Sequence, residues 1–245
     1  MSEAAVHPSL DGSRLVRYLA ELQVSGAAIP QPHLAQRLGA LIDLPDSIKL
    51  SGAHAKLHRL EFEPTGLSRE DIKREFLRMR MAMVQSVVRT FAPRPGPSRI
   101  KLPAPEAIPA ADPAEAYEPY RKFYTGHQRD MEFRVQQLQS QLREAATGLS
   151  PDLARLAALD KALGETLVAQ TRKFLAVIPQ LLGKHFTHLH HAYQQSVAAT
   201  QDPGEDWIQC HNRFCADMQG LLLAEIETRL MPALGLVEAI TKDTD

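Results

Sequence analysis

Apolar residues recur every three or four positions through the second half of the chain. This spacing places them on one side of an α-helix and predicts two long amphipathic helices, at 117–147 and about 152–199. Between them, Gly148 favours a helix end, Ser150 is a good helix N-cap and Pro151 suits a first helical turn. Because the end and start signals lie so close together, we expect the two helices to fold back as an antiparallel hairpin.

The second of these helices also carries a seven-residue repeat, which is the pattern of a coiled-coil seam. Asp160 and Gln170 are polar members of that seam; they either fix the register of a partner or, as we favour, reach solvent. Pro179 lacks a backbone donor and predicts a kink or break near 175–179. The seam consists of Leu156, Leu163, Gln170 and Val177 in one series and Asp160, Leu167, Phe174 and Leu181 in the other.

Shorter apolar stripes fill the first third of the chain and predict a module of short helices. Ser68 and Asp71 resemble a capping box that opens the longest of them. Residues 92–113 hold seven of the 17 prolines, which remove backbone donors and favour extended geometry, so this segment predicts a semi-rigid linker or an extended strap. The short helices are expected at about 13–25, 32–44, 46–57 and 68–91.

A last amphipathic stripe near the C-terminus predicts a helix that Pro232 and Gly235 interrupt before a short tail helix. We expect the C-terminal helix to complete a three-helix bundle with the hairpin. The predicted fold is therefore all-α, with an N-terminal helical module at 1–91, a proline-rich linker at 92–116 and the bundle at 117–245.

Composition supports a packed helical protein. Hydrophobic residues make up 44% of the 245 positions and charged residues 23%, which is enough apolar material for a core. Aromatic residues reach only 6%, which favours helix over strand. The N-terminus has no basic stretch ahead of an apolar run, and no window holds 18 apolar residues. With only two cysteines, we expect a cytoplasmic protein without membrane insertion.

Three histidines spaced by three residues, His185, His188 and His191, are the candidate metal ligands. On a helix, neighbours at this spacing lie close enough to share an ion. The pattern lacks the Glu of helix-borne zinc proteases and the Glu that precedes each His by three residues in di-iron bundles. A polar helix face whose charge changes near pH 6.5 is therefore the favoured interpretation.

Cys210 and Cys215 flank His211, but a zinc motif needs a second pair of ligands. Five residues apart on a helix, the cysteines point to different sides, so we expect no disulfide and interpret them as structural. Glu225 and Glu227 likewise face different sides of their helix. No glycine-rich phosphate loop or nucleophile elbow is present, so we predict no catalytic or cofactor-binding residue and no enzyme.

Charge is unevenly distributed along the chain. The first 101 residues carry 15 Lys and Arg against 10 Asp and Glu, whereas the remainder carries 13 against 19. The basic run includes Arg74, Arg78 and Arg80, which are weak candidates for contacts with nucleic-acid phosphates. Acidic residues interleave with them, and Glu70 lies four positions before Arg74, so a solvated face is the favoured interpretation.

A weak helix-turn-helix pattern lies at 34–39, LAQRLG, where a break and another short helix follow. The turn fits poorly because Ala40, Leu41 and Ile42 continue the first helix.

Six segments together resemble an uncharacterised bacterial family built on a domain of unknown function. The match covers most of the chain, and PQLLGKHF and ARLAALD are its more specific parts. The resemblance implies an all-helical cytoplasmic protein and carries no activity over to any residue. It also implies gene neighbours for stator-like proton channels and outer-membrane-anchoring proteins, and hence a cytoplasmic accessory of an envelope machine. The segments are RLVRYL at 14–19, QRLG at 36–39, YEPYR at 117–121, LARLAALD at 153–160, VIPQLLGKHF at 177–186 and LAEIETRL at 223–230.

The long amphipathic helices and the lack of catalytic residues favour a non-enzymatic interaction protein. It would bind a protein partner, or a second copy of itself, through the hairpin. One alternative is a nucleic-acid-binding regulator that uses the basic segment at 69–101. The other is a metal-binding helical protein that uses the three histidines.

Overall fold

The computed structural model describes residues 14–22, 44–57, 68–92, 99–105, 110–197 and 203–242. Each long regular element in these ranges is an α-helix, which confirms the all-α class. The predicted helix at 32–44, apart from Leu44 itself, and the helix-turn-helix pattern at 34–39 lie outside the described residues. The helices are α1 Arg14–Leu22, α2 Leu44–Lys56, α3 Arg69–Thr90, α4 Pro113–Thr147, α5 Pro151–Leu175, α6 Val177–Val197 and α7 Pro203–Lys242.

The turn between α4 and α5 forms at the residues that predict it. The amide of Gly148 donates to the carbonyl of Ala145 at 3.2 Å and ends α4. Ser150 then caps α5 from an extended backbone, because its hydroxyl accepts the amide of Leu153 at 3.2 Å. Pro151 occupies the first turn of α5, where its missing N–H leaves no bond unmade.

Two ion pairs show that α4 and α5 run in opposite directions. Nε of Arg143 donates to Oδ2 of Asp160 at 2.7 Å, close to the turn. Nε of Arg172, one helix length further on, donates to Oε1 of Glu132 at 2.5 Å. The earlier residue on α4, Glu132, pairs with the later residue on α5, Arg172. The predicted antiparallel arrangement is therefore confirmed for these two helices.

The second arm of the hairpin breaks where Pro179 predicts. Helix α5 ends at Leu175 and α6 begins at Val177. Ala176 keeps a right-handed helical backbone, and its amide still donates to the carbonyl of Arg172 at 2.9 Å. Pro179 therefore falls in the first turn of α6, where a helix needs no backbone donor.

The C-terminal helix differs from the prediction. Helix α7 continues through Pro232, so the expected interruption at Pro232 and Gly235 is wrong. Leu230, Ala233 and Leu236 are buried on both sides of the proline and hold the helix in place, whereas Pro232 itself is exposed. This packing outweighs the one backbone hydrogen bond that the proline removes from the helix.

Helix starts are also earlier than predicted. Helix α4 begins at Pro113, four residues before the expected start, because Asp112 caps it with a carboxylate that accepts the amide of Ala114 at 2.9 Å. Helix α2 begins at Leu44 and therefore includes Pro45, which was expected to lie outside it. A proline is compatible with this first turn.

The helices gather into two compact units that combine segments distant in sequence. The first unit holds α1, α4 up to Gln128, α6, and α7 up to Thr228. The second unit holds α2, α3 up to Gln85, the remainder of α4, all of α5, and the C-terminal part of α7. The division into 1–91, 92–116 and 117–245 stays a prediction. Among the described residues, no helix is both long and apolar enough to cross a bilayer.

Candidate interaction surface

One face of α5, in the second unit, keeps large apolar side chains accessible. Leu156, Leu159, Leu163 and Phe174 remain 37, 37, 42 and 49% exposed. At about 100° of rotation per residue, they fall within a sector of about 60° and lie in one row along the helix. The row is about 27 Å long at about 1.5 Å per residue. We call these four residues the α5 stripe.

The α5 stripe follows the predicted coiled-coil seam. Its positions 156, 163 and 174 are seam positions, and Leu167 and Gln170 lie half-buried between them. Most buried residues of the helix, Leu153, Ala154, Ala157 and Leu175, lie on another side, whereas Thr166 is buried at the edge of the stripe next to Leu159. Part of the seam, at Leu156, Leu163 and Phe174, therefore stays exposed after the unit has folded.

The favoured interpretation of the seam, in which Asp160 simply reaches solvent, does not hold. The carboxylate of Asp160 accepts the guanidinium of Arg143 at 2.7 Å, and the two side chains are only 21 and 20% exposed. The ion pair with Arg143 occupies only part of the hydrogen-bond acceptor capacity of the Asp160 carboxylate. Asp160 can therefore bind a further donor at the edge of the seam.

The three candidate metal ligands do not converge on one point. His185 is buried, with Nε2 at 2.9 Å from Oδ2 of Asp217. His188 and His191 are exposed and line an open concavity of about 580 Å³ on α6, together with Lys184. In the part of the chain that the structure describes, no group of three or more His, Cys, Asp or Glu could hold a metal ion.

The buried histidines belong instead to an aromatic core in the first unit. The ring of Phe186 lies 5.0 Å from that of Phe214 and 5.9 Å from that of Trp207, edge to face. His190 sits beside this cluster, with Nε2 at 2.9 Å from the carbonyl of Ala110. His211 packs beside Trp207, and burial lowers its pKa below the usual 6.5. The sequence pattern alone did not indicate this cluster.

A buried carboxylate is the other feature of the first unit that sequence reasoning missed. Glu225 is fully buried and accepts the hydroxyl of Tyr124 at 2.9 Å and the amide of Gln128 at 3.1 and 3.2 Å. Glu227 lies on another side of α7 and pairs with Arg14 at 3.2 Å, which confirms that the two carboxylates face apart. Because Glu225 is closed off from solvent and hydrogen-bonded, its geometry favours a structural role.

The cysteines have the environment of structural residues. Cys215 is buried, with its sulfur 3.5 Å from Nε2 of His211. Burial raises the pKa of the Cys215 thiol to about 12 and lowers the pKa of His211, so both groups are neutral near pH 7. A reactive cysteine needs the opposite, a stabilised thiolate. Cys210 is half-exposed, and both cysteines are free thiols.

Two of the three candidate nucleic-acid contacts are neutralised on their own helix. Arg74 forms an ion pair with Asp71, and Arg78 forms a two-pronged pair with Glu75 at 2.5 and 2.7 Å. The Arg78 guanidinium also lowers the pKa of the Glu75 carboxyl. Arg80 is exposed. This part of α3 therefore presents alternating charge rather than a basic face.

A family model described as "Protein of unknown function (DUF3348)" matches residues 1–242. The chain belongs to this family. The match confirms the resemblance to a family of unknown function that the six sequence segments indicate. No curated protein and no solved structure matches the chain. The DUF3348 description assigns no activity.

Proposed function

We propose that the chain is a non-enzymatic interaction protein that docks an amphipathic helix of a protein partner along the α5 stripe. The observation that carries the proposal is the row of exposed apolar side chains from Leu156 to Phe174. Single exposed leucines are ordinary on protein surfaces, whereas several large apolar side chains exposed on one face of a helix are typical of an interaction site. An amphipathic helix is the partner whose own apolar row matches this shape.

The chemical groups elsewhere support binding rather than catalysis. Glu225, His185 and Cys215 are buried and already contact other side chains of the protein. The exposed concavity that His188 and His191 line holds no carboxylate or cysteine among its lining residues. The nucleic-acid and metal alternatives have no comparable observation in their favour.

We place this interaction in the cytoplasm, as an accessory function for a larger assembly at the cell envelope. Two free thiols suit a reducing compartment. The envelope setting rests on the gene neighbours that the family resemblance implies.

Site-specific photo-cross-linking tests the proposal. Leu163 in the full-length protein is replaced by the photoreactive amino acid p-benzoylphenylalanine in its native cells, which are then irradiated. We expect a discrete cross-linked product, because Leu163 lies in the middle of the α5 stripe. Glu165 is exposed and points about 160° away from Leu163 on the same helix, so the same replacement there is the matched control and should give none.

Two results would contradict the proposal. One is the lack of any product from position 163 in cells that contain the folded protein. The other is equal labelling at positions 163 and 165, because a partner that docks on the stripe reaches only one of them.

A further inference from the structure

The order of apolar and polar residues in the seam of α5 is the same from either end of the helix. Its residues form pairs that lie at equal distances on the two sides of position 165. The members of each pair have matching character, apolar with apolar and polar with polar. The pairs are Leu163 with Leu167, Asp160 with Gln170, and Leu156 with Phe174.

A helix with this symmetry complements a second copy of itself. When two identical helices pack antiparallel about a two-fold axis, each residue meets the residue that lies equally far beyond the axis on the other copy. An axis at position 165 places each Leu163 against Leu167 of the other copy. The same axis places each Phe174 against Leu156, so the apolar layers meet on both sides of the centre.

We propose that the helix docked on the α5 stripe is α5 of a second copy of this chain, packed antiparallel about a two-fold axis at position 165. This inference rests on the proposed function, because it identifies the partner for that docking surface. It specifies the direction and the register of the contact as well as its chemistry.

The polar pair supplies the register. In this arrangement the amide of Gln170 faces Asp160 of the other copy, whose carboxylate already accepts Arg143 at 2.7 Å and has acceptor capacity left. The pair occurs twice, once on each side of the axis. A slip along the helix would bury Asp160 against leucine instead, and a buried carboxylate without a partner is costly.

No like charges oppose each other across the axis. Glu165 lies at the axis but on the far side of each helix, away from the contact. Leu159 meets Thr171 of the other copy, and Lys173 lies two positions further on, where its aliphatic stem can cover an apolar side chain. A contact between two helices of about 27 Å is small by the standard of stable complexes, so we expect a reversible dimer.

Sedimentation equilibrium of the full-length protein tests the register through charge. The wild-type mass should rise from 27.2 kDa towards twice that value as concentration increases. Gln170→Lys places an ammonium opposite Asp160 and should tighten the dimer about tenfold, while Gln170→Glu should weaken it by about the same factor. Glu165→Lys and Glu165→Gln are the controls and should change affinity less than about twofold. Circular dichroism checks that every variant is folded.

Each outcome bears on a separate claim. Wild-type protein that stays at 27.2 kDa at every concentration overturns the dimer. In that case a photo-cross-linked product at Leu163 with a different protein leaves the proposed function standing, whereas no product removes both. Gln170 variants that shift affinity in the same direction, or not at all, overturn the antiparallel register.

Discussion

The two compact units use their large apolar side chains in different ways. In the first unit Phe186, Trp207 and Phe214 interlock edge to face and are at most 3% exposed. In the second unit Leu163 and Phe174 stay 42 and 49% exposed on α5. Both sets follow the same helical spacing, so amphipathic pattern alone does not say what a helix is packed against. The first set completes a core, whereas the second stays exposed to solvent.

Truncating one phenylalanine in each set should give the largest contrast. Phe186→Ala removes a ring that contacts five aromatic neighbours, and we expect a loss of about 3–5 kcal/mol in unfolding free energy. Phe174→Ala, which removes a half-exposed ring, should cost less than about 1 kcal/mol. Urea unfolding at low protein concentration measures both values. Similar losses for the two variants would show that the α5 stripe is part of a core.

The sequence predicts helices well because the signals are local. The Gly148, Ser150 and Pro151 turn, the break near Pro179 and the start of α3 all depend on residues within a few positions of each other. The continuation of α7 through Pro232 depends on distant packing at Leu230 and Leu236, which a local signal does not contain.

The candidate site was less predictable for the same reason. Leu138 and Leu163 look alike in the sequence, yet the first is fully buried and the second is exposed. The difference arises from which neighbouring helix covers each side. The histidine spacing likewise did not reveal that His185 turns towards Asp217 on α7, away from His188 and His191.

The hydrogen bonds to the buried Glu225 in the first unit should have a smaller effect on stability. Tyr124→Phe removes the hydroxyl that donates to Glu225 and leaves a buried carboxylate with one donor fewer, so we expect a loss of about 1–3 kcal/mol. Thr125→Val on the same helix is the control, because the hydroxyl of Thr125 bonds back to its own helix. An equal loss for both variants would mean that the Glu225 contact adds no stability of its own.

Acid should affect the first unit through His211. Burial lowers the pKa of His211 below 6.5 in the folded state, so the unfolded chain binds a proton more readily as pH falls. The contribution to stability is therefore present above about pH 6.5 and is lost as pH falls through the folded-state pKa. His211→Gln should flatten the dependence of unfolding free energy on pH in this range.

Gln209 is the control position for this dependence of unfolding free energy on pH, because it is exposed on the same helix as His211. Gln209→Ala should keep the wild-type dependence on pH. A slope that His211→Gln leaves unchanged would assign the acid sensitivity to other groups.

The most direct test of the α5 stripe as a docking surface is Leu163→Glu, with molar mass and unfolding free energy measured on the same preparation. The account predicts a protein that stays at 27.2 kDa at all concentrations and unfolds within about 1 kcal/mol of the wild-type monomer. A variant that still self-associates like the wild type would contradict the account. So would one that loses several kcal/mol of stability, because Leu163 would then be a core residue.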